Sequence, residues 1–159
     1  MTTLDAMTDS EFAAFADEAP QDYARDQVEA GIWPANESVR LARDAFSKLL
    51  PQGLVTPDHF LYVVREESTR AALGVLWYAL KDRAGERVAY VYGIHIKDEF
   101  RRMGHATRTL AALERKARSQ GLAGIELHVF GRNAKARALY DKVGFHETNV
   151  TMFKPLGAR

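Results

Sequence analysis

A chain of 159 residues, 47% hydrophobic and 27% charged, can bury a core as one domain and has the composition of an ordinary soluble globular protein. Its 22 basic and 21 acidic side chains cancel to a formal charge of +1, so nothing in the balance calls for nucleic acid or a membrane surface as partner. The absence of cysteine excludes disulfides, thiolate catalysis and Cys-ligated zinc, and it fits a reducing compartment.

No apolar run approaches the roughly 20 residues of a transmembrane helix. The acidic opening, residues 1–10, lacks the basic, apolar, small-residue order of a secretory signal. A cytoplasmic protein is expected.

Up to Pro51 the apolar period is helical. Thr8 and Glu11 are spaced as a capping box ahead of Phe12, Phe15 and Ala16. Pro20 is expected to break that run, and a second helix is expected over residues 21–29, ended by Gly31. Asn36 is a good N-cap for a third helix carrying Ala42, Phe46 and Leu49, which Pro51 and Gly53 stop.

Strand signals follow at residues 60–64, 73–80 and 88–96, joined by short polar turns, as in an antiparallel meander. Gly93 inside the third of these suggests a bulge or a close backbone approach. From 102 to 119 the period is helical again, with Ala106, Leu110, Leu113 and Ala117 on one face and Gly121 at the C-terminal cap position. Ile125, Leu127 and Val129 alternate with Glu126 and His128, as in a half-buried strand. Strand, helix and strand at this spacing make a right-handed βαβ crossover. A short helix is expected over 134–142 with Asn133 at its cap and Gly144 after it. Residues 145–154 can supply a last strand or hairpin. The class is α+β: three N-terminal helices, then a mostly antiparallel mixed sheet carrying one parallel pair.

The chemistry concentrates in Ile94-His95-Ile96-Lys97-Asp98-Glu99-Phe100-Arg101-Arg102-Met103-Gly104-His105-Ala106-Thr107, which runs from a strand through a charged turn into a helix. The first amides of a helix lack intrahelical partners, and the helix dipole adds positive potential there. Gly104 lets the backbone approach closely, and Arg101 and Arg102 add charged donors. That is a cradle for a diphosphate.

Arg101-x-x-Gly104-x-Ala106 resembles the coenzyme A signature of GNAT acetyltransferases, Arg/Gln-x-x-Gly-x-Gly/Ala. A second motif resembles that family's later strand and helix: Leu127-x-Val129-x-x-x-Asn133-x-x-Ala136-x-x-Leu139-Tyr140-x-Lys142-x-Gly144-Phe145. The likeness is strong over about residues 90–145, looser over 60–80 and weak over the first fifty.

The resemblance implies a GNAT-like fold in which the parallel strand pair is splayed and the βαβ unit binds the cofactor. It implies one domain over 1–159, with a helical acceptor-side segment at 1–53 and the sheet and cofactor core at 58–155. It implies acetyl-CoA as acyl donor and a primary amine as acceptor, by direct attack. The backbone of Ile94, His95 and Ile96 would bond the pantetheine arm. The amides of Arg102, Met103, Gly104, His105, Ala106 and Thr107 would hold the diphosphate, and Asn133 would help hold the cofactor. Tyr140 would protonate the thiolate leaving group. Read from its helix alone, Tyr140 also fits a core face with Ala136, Leu139 and Val143.

Many members of the family carry a glutamate base on the strand before the cofactor loop, where this chain has Tyr90-Val91-Tyr92-Gly93-Ile94-His95 and no carboxylate. His95, Glu126 and His128 are the replacements, each of which also fits a solvated strand position. On the acceptor side, Trp33 can form an aromatic wall and Glu29 or Glu37 an ammonium partner. The alternative is that Trp33 packs the helix pair and the two glutamates face water. Arg108, Arg115, Lys116 and Arg118 read as a solvated helix face rather than a nucleic-acid surface. No His/Asp/Glu spacing suggests a metal site. Homodimers are common in this fold, and no exposed stripe in the sequence demonstrates one. A non-catalytic acyl-CoA sensor of the same fold is the alternative function.

Overall fold

The computed structural model describes residues 1–157. It opens with a strand, β1 (Thr2–Ala6), and continues with helix α1 (Asp9–Glu29), a 3-10 turn at Ala35–Glu37 and helix α2 (Ser38–Leu49). Strands β2 (His59–Glu66), β3 (Ala72–Arg83) and β4 (Glu86–Ile96) come next, then helix α3 (His105–Ser119), strand β5 (Ile125–Leu127) and helix α4 (Ala134–Lys142). The chain forms two compact units, Met1–His128 and a smaller one beginning at Val129.

In the first unit the five strands lie in the order β1-β2-β3-β4-β5. The first four are antiparallel, and β5 joins β4 in parallel through the α3 crossover. The β3–β4 hairpin turns at Ala84 and Gly85, both at positive φ (51° and 84°), the geometry that matches strand twist in a tight hairpin. Alternation builds a core on each face. Leu61, Val63 and Trp77 face α1 and α2, where Phe12, Phe15 and Phe46 meet them. Val64, Leu76, Tyr78, Ala89 and Val91 face the other way and pack with Leu113 of α3. Leu110, Leu113 and Ala117 are buried together, as the helical period of α3 required.

The amino-terminal part differs from the sequence-based expectation of three helices. Thr8 and Glu11 do form the capping box, with Oγ1 of Thr8 accepting the Glu11 amide at 3.2 Å and the Glu11 carboxylate accepting the Thr8 amide at 3.0 Å. Pro20, however, lies inside α1 and does not end it. An interior proline costs about 3 kcal/mol in a helix, and here its ring is fully buried, so packing offsets part of that cost. The helix stops at Gly31 (φ 75°), whose amide bonds Val28 O while the Ile32 amide bonds Gln27 O. That is a Schellman cap. Asn36 sits within the 3-10 turn and caps nothing; α2 starts at Ser38. The expected strand over 145–154 is not formed: residues 145–157 have no regular structure, and Val150, Met152, Phe153 and Leu156 are exposed.

In the second unit Asn133 caps α4 by accepting the Ala136 amide at 3.2 Å, and Ala136, Leu139, Tyr140 and Val143 are its half-buried face. Among the described residues no helix is long and apolar enough to cross a membrane.

Candidate functional site

The parallel pairing of β4 and β5 is short. Ala89, Tyr90 and Val91 pair with Ile125, Glu126 and Leu127, and there β5 ends, while β4 runs on to Ile96. Among the described residues, Gly93 to Ile96 of β4 pair with a strand only on the β3 side, through Trp77, Leu76, Val75 and Gly74. Its other edge therefore offers backbone donors and acceptors beyond the point where β5 stops. The register also slips at Trp77/Tyr78, so that Trp77 faces Gly93 and Tyr78 faces Val91. Tyr92 is the extra residue of a bulge, adjacent to the glycine that signalled it. Ile94 and Ile96 turn toward the α3 core, and His95, opposite Val75, turns to the α1/α2 face and is exposed.

β4 leads through a 3-10 turn, Asp98–Phe100, into a bend before α3. Arg101 closes the bend from behind: its Nε donates to Ile96 O at 3.1 Å and its guanidinium pairs with Asp98 at 3.0 Å. Arg102 (φ 63°) and Gly104 (φ 79°) both take left-handed backbone on either side of Met103, and α3 begins at His105 rather than at 102. Left-handed residues set among right-handed ones turn successive amides toward one side. Among the described residues, no acceptor takes the backbone N–H groups of Arg102 to Thr107; the ladder starts with Arg108 N to Gly104 O at 3.1 Å. Arg102, Met103, Gly104 and Thr107 are exposed, Ala106 is half-buried and His105 is buried. Six unpaired amides at a helix N-terminus fit a diphosphate.

The residues proposed for acid–base work are spread out. Glu126 is beside Tyr90 in the parallel register, and its carboxylate pairs with Arg83 at 3.0 Å. His95 lies five positions further along β4, which at about 3.3 Å per residue is about 15 Å away. The structure therefore does not bring these two candidates together. His128 follows β5 and is exposed. Tyr140 is half-buried on α4, its ring meeting Phe145 edge to face at 5.6 Å, and burial pushes its phenol above the ordinary value of 10.

At the α1–α2 connection Trp33 packs edge to face on Tyr23 at 5.4 Å, and Glu37 bonds Arg40 at 2.8 Å on the surface. Two groups that the sequence reading passed over complete this face. Tyr90 and Tyr92 touch at 4.9 Å, and the Lys81 ammonium lies 4.2 Å from the first ring and 5.0 Å from the second. His59 stacks on Tyr92 at 5.7 Å. The Tyr-x-Tyr spacing was visible as a shared strand face; the lysine lies on another strand and left no local signal. Arg108 is exposed, as expected of a solvated face, and its guanidinium folds back on the turn to donate to Met103 O at 2.7 Å. Among the described residues no group of three or more His, Asp or Glu is gathered to hold a metal ion.

Residues 12–145 match the model of the acetyltransferase (GNAT) family. The chain is 35% identical over 153 residues to YycN, an uncharacterized N-acetyltransferase of Bacillus subtilis strain 168, covering 96% of this chain and 97% of the relative. It matches the crystal structure of YycN with a TM-score of 0.93, at 34% identity, over 99% of this chain and 100% of that one. It is 30% identical over 154 residues to YdgE, another uncharacterized N-acetyltransferase of that organism, over 97% and 98% of the two chains. In fold alone it resembles AAC(6')-Iy, solved in complex with a bisubstrate analogue of coenzyme A and acetylneamine, with a TM-score of 0.61 at 15% identity over 99% of both chains.

Proposed function

We propose that this chain, which belongs to the GNAT acetyltransferase family, transfers an acetyl group from acetyl-CoA to a primary amine by direct attack. One observation carries the reading. A strand edge open beyond Leu127 leads into a turn whose amides, from Arg102 to Thr107, have no acceptor of their own. The edge of Ile94, His95 and Ile96 suits the amides of a pantetheine arm, and the turn suits a diphosphate. Asn133, already engaged as a helix cap, adds to the cofactor side only through atoms the cap leaves free.

In this reading the amine nitrogen attacks the thioester carbonyl carbon, and the carbon–sulfur bond breaks as the carbonyl reforms. Tyr140 gives its phenolic proton to the departing thiolate. The phenol, at or above its ordinary value of 10, holds its proton at neutral pH and so has one to give. The proton lost by the amine goes to His95, Glu126 or His128, directly or through water. Arg83 already holds the Glu126 carboxylate, at 3.0 Å. Holding both reactants at the splayed edge would supply most of the rate. Trp33 and Glu37 would border the acceptor, with the whole of 1–159 acting as one catalytic domain in the cytoplasm. A homodimer is compatible with the reading and unnecessary to it.

The test is acetyl-CoA turnover against a panel of primary amines, with coenzyme A binding measured alongside. Release of coenzyme A coupled to N-acetylation is the expected result. Tight coenzyme A binding with no amine ever acetylated would convert the protein to an acyl-CoA sensor.

A further inference from the structure

Arg108 lies one turn into α3, yet its guanidinium points back at the loop before the helix. Nη2 donates to Met103 O at 2.7 Å and lies 2.9 Å from Nδ1 of His105, while Nε donates to Oγ1 of Thr2 on β1 at 3.3 Å. A guanidinium has donors only, so Nδ1 of His105 must be the acceptor, the ring proton must sit on Nε2, and the ring is neutral. His105 is 7% exposed and meets Phe100 edge to face at 6.4 Å.

The carbonyl that Arg108 holds belongs to the peptide linking Met103 to Gly104. In a trans peptide C=O and N–H point in opposite directions. A guanidinium fixed on Met103 O therefore turns the Gly104 amide away from Arg108, to the open side of the turn. The same side chain passes so close to Gly104 that a Cβ there would come within 2.8 Å of Nη1. Gly104 is favoured by its left-handed backbone, and a Cβ there would also displace the arginine crossing it.

We propose that Arg108 is a positioning residue for the donor-binding turn: anchored on Thr2 and on neutral His105, it aims the Gly104 amide at the diphosphate. The inference rests on the acetyl-CoA reading above and adds a pH-sensitive element to it. Protonating His105 would place a hydrogen on the nitrogen that Arg108 uses and set two cations against each other. The charged groups that face the ring are Arg108 on α3, the Met1 ammonium just ahead of β1 and Glu66 on β2. Burial is the largest influence on it and, with the two cations, favours the neutral ring; Glu66 opposes them.

The experiment measures the affinities of coenzyme A and of pantetheine, which lacks the diphosphate, for the full chain and its variants. Arg108→Gln should weaken coenzyme A roughly tenfold, the scale of one charge-assisted hydrogen bond, and leave pantetheine unchanged. Equal losses for both ligands would make Arg108 merely structural and overturn the proposal, as would no loss. Arg108→Lys keeps the charge without the fork and should still bind coenzyme A more weakly; wild-type affinity in that variant would mean that charge alone matters. If Arg108→Gln does not fold, Thr2→Val removes only the anchor on Nε, a long bond at 3.3 Å, and should cost about threefold for coenzyme A alone, the low end of a hydrogen bond's net worth. Between about pH 7.5 and 5.5 coenzyme A affinity should fall further in the wild type than in His105→Gln, which keeps an acceptor but cannot titrate. Parallel falls would remove the pH element. A wild-type chain that binds no coenzyme A would instead sink the acetyltransferase reading itself.

Discussion

Trp77 donates its indole N–H to Nδ1 of His59 at 3.0 Å, at the centre of the aromatic layer between the sheet and α1/α2. Indole nitrogen only donates, so His59 is neutral where it is folded. Burial pushes its pKa below the ordinary value of 6.5; the Lys81 charge adds to that and Asp58 opposes it. The unfolded chain therefore takes up a proton below about pH 6.5 that the folded chain refuses. Stability should be full above that pH and decline as pH falls from it through the folded-state value. His105 is shifted in the same direction by its own burial and adds to the slope. Urea unfolding at a series of pH values should show this decline and a shallower one in His59→Asn, which keeps an acceptor for Trp77. Identical slopes would mean that His59 titrates freely.

Pro20 makes an opposite kind of prediction, a stabilising substitution. Restoring an amide inside α1 recovers about 3 kcal/mol of helix propensity. Against this, Pro20→Ala removes two buried methylenes at about 0.8 kcal/mol each. The net is a gain of about 1 kcal/mol, readable as a higher denaturation midpoint. A loss of stability would mean that the buried ring fills a space the helix cannot close, with the cavity cost outweighing propensity.

Pro20 also illustrates where the sequence was legible and where it was not. The β2–β4 meander, the bulge beside Gly93, the α3 crossover and the turn at Arg101 to Thr107 all leave local marks: alternation, a glycine in a strand, a periodic face, unpaired amides at a known spacing. β1 left none. Thr2-Thr-Leu-Asp-Ala6 has Leu4 as its single large apolar side chain, and its register comes from β2, where Leu4 pairs with Val64 and Asp5 meets Arg65 at 3.3 Å. Helix propensity at Pro20 was overruled by burial, and Asn36 lost its capping role to a 3-10 turn. Residues 145–154 carry Val150, Met152 and Phe153, enough for a strand, but no strand among the described residues pairs with them. At the site, the run of unpaired amides could be read because it follows from where the helix starts and needs no particular side chain. The proton acceptor could not, because β-strand distance, rather than residue type, separates His95 from Glu126.

Gly104 is the position where the cradle is most exposed to a single change. A Cβ in left-handed backbone costs roughly 1–2 kcal/mol, and here it would also push the Arg108 guanidinium off Met103 O. Gly104→Ala should therefore weaken coenzyme A roughly tenfold, each 1.4 kcal/mol being one such factor. Gly104→Glu adds a repelling carboxylate and should abolish binding at millimolar ligand. Isothermal titration of both variants decides it, and unchanged affinity in Gly104→Glu would mean that the diphosphate goes elsewhere.

In the proposed reaction the ring and the hydroxyl of Tyr140 have different tasks, so substitution there separates catalysis from packing. Gly144 N bonds Asp141 O at 3.2 Å and Phe145 N bonds Tyr140 O at 2.9 Å, so α4 ends in a Schellman cap with Tyr140 and Phe145 at its two contact positions. The ring thus fastens the helix end, and phenylalanine serves that purpose equally well. The hydroxyl has no hydrogen-bond partner among the described residues, and burial alone raises its pKa. Tyr140→Phe should leave the melting temperature and coenzyme A affinity near wild type. Loss of a positioned general acid costs roughly 10²–10⁴ in rate, so turnover should fall at least a hundredfold. The alkaline decline of kcat, as the phenol loses its proton above its ordinary value of 10, should vanish with it. A variant with wild-type turnover would return Tyr140 to the cap alone and leave the thiolate to be protonated by solvent.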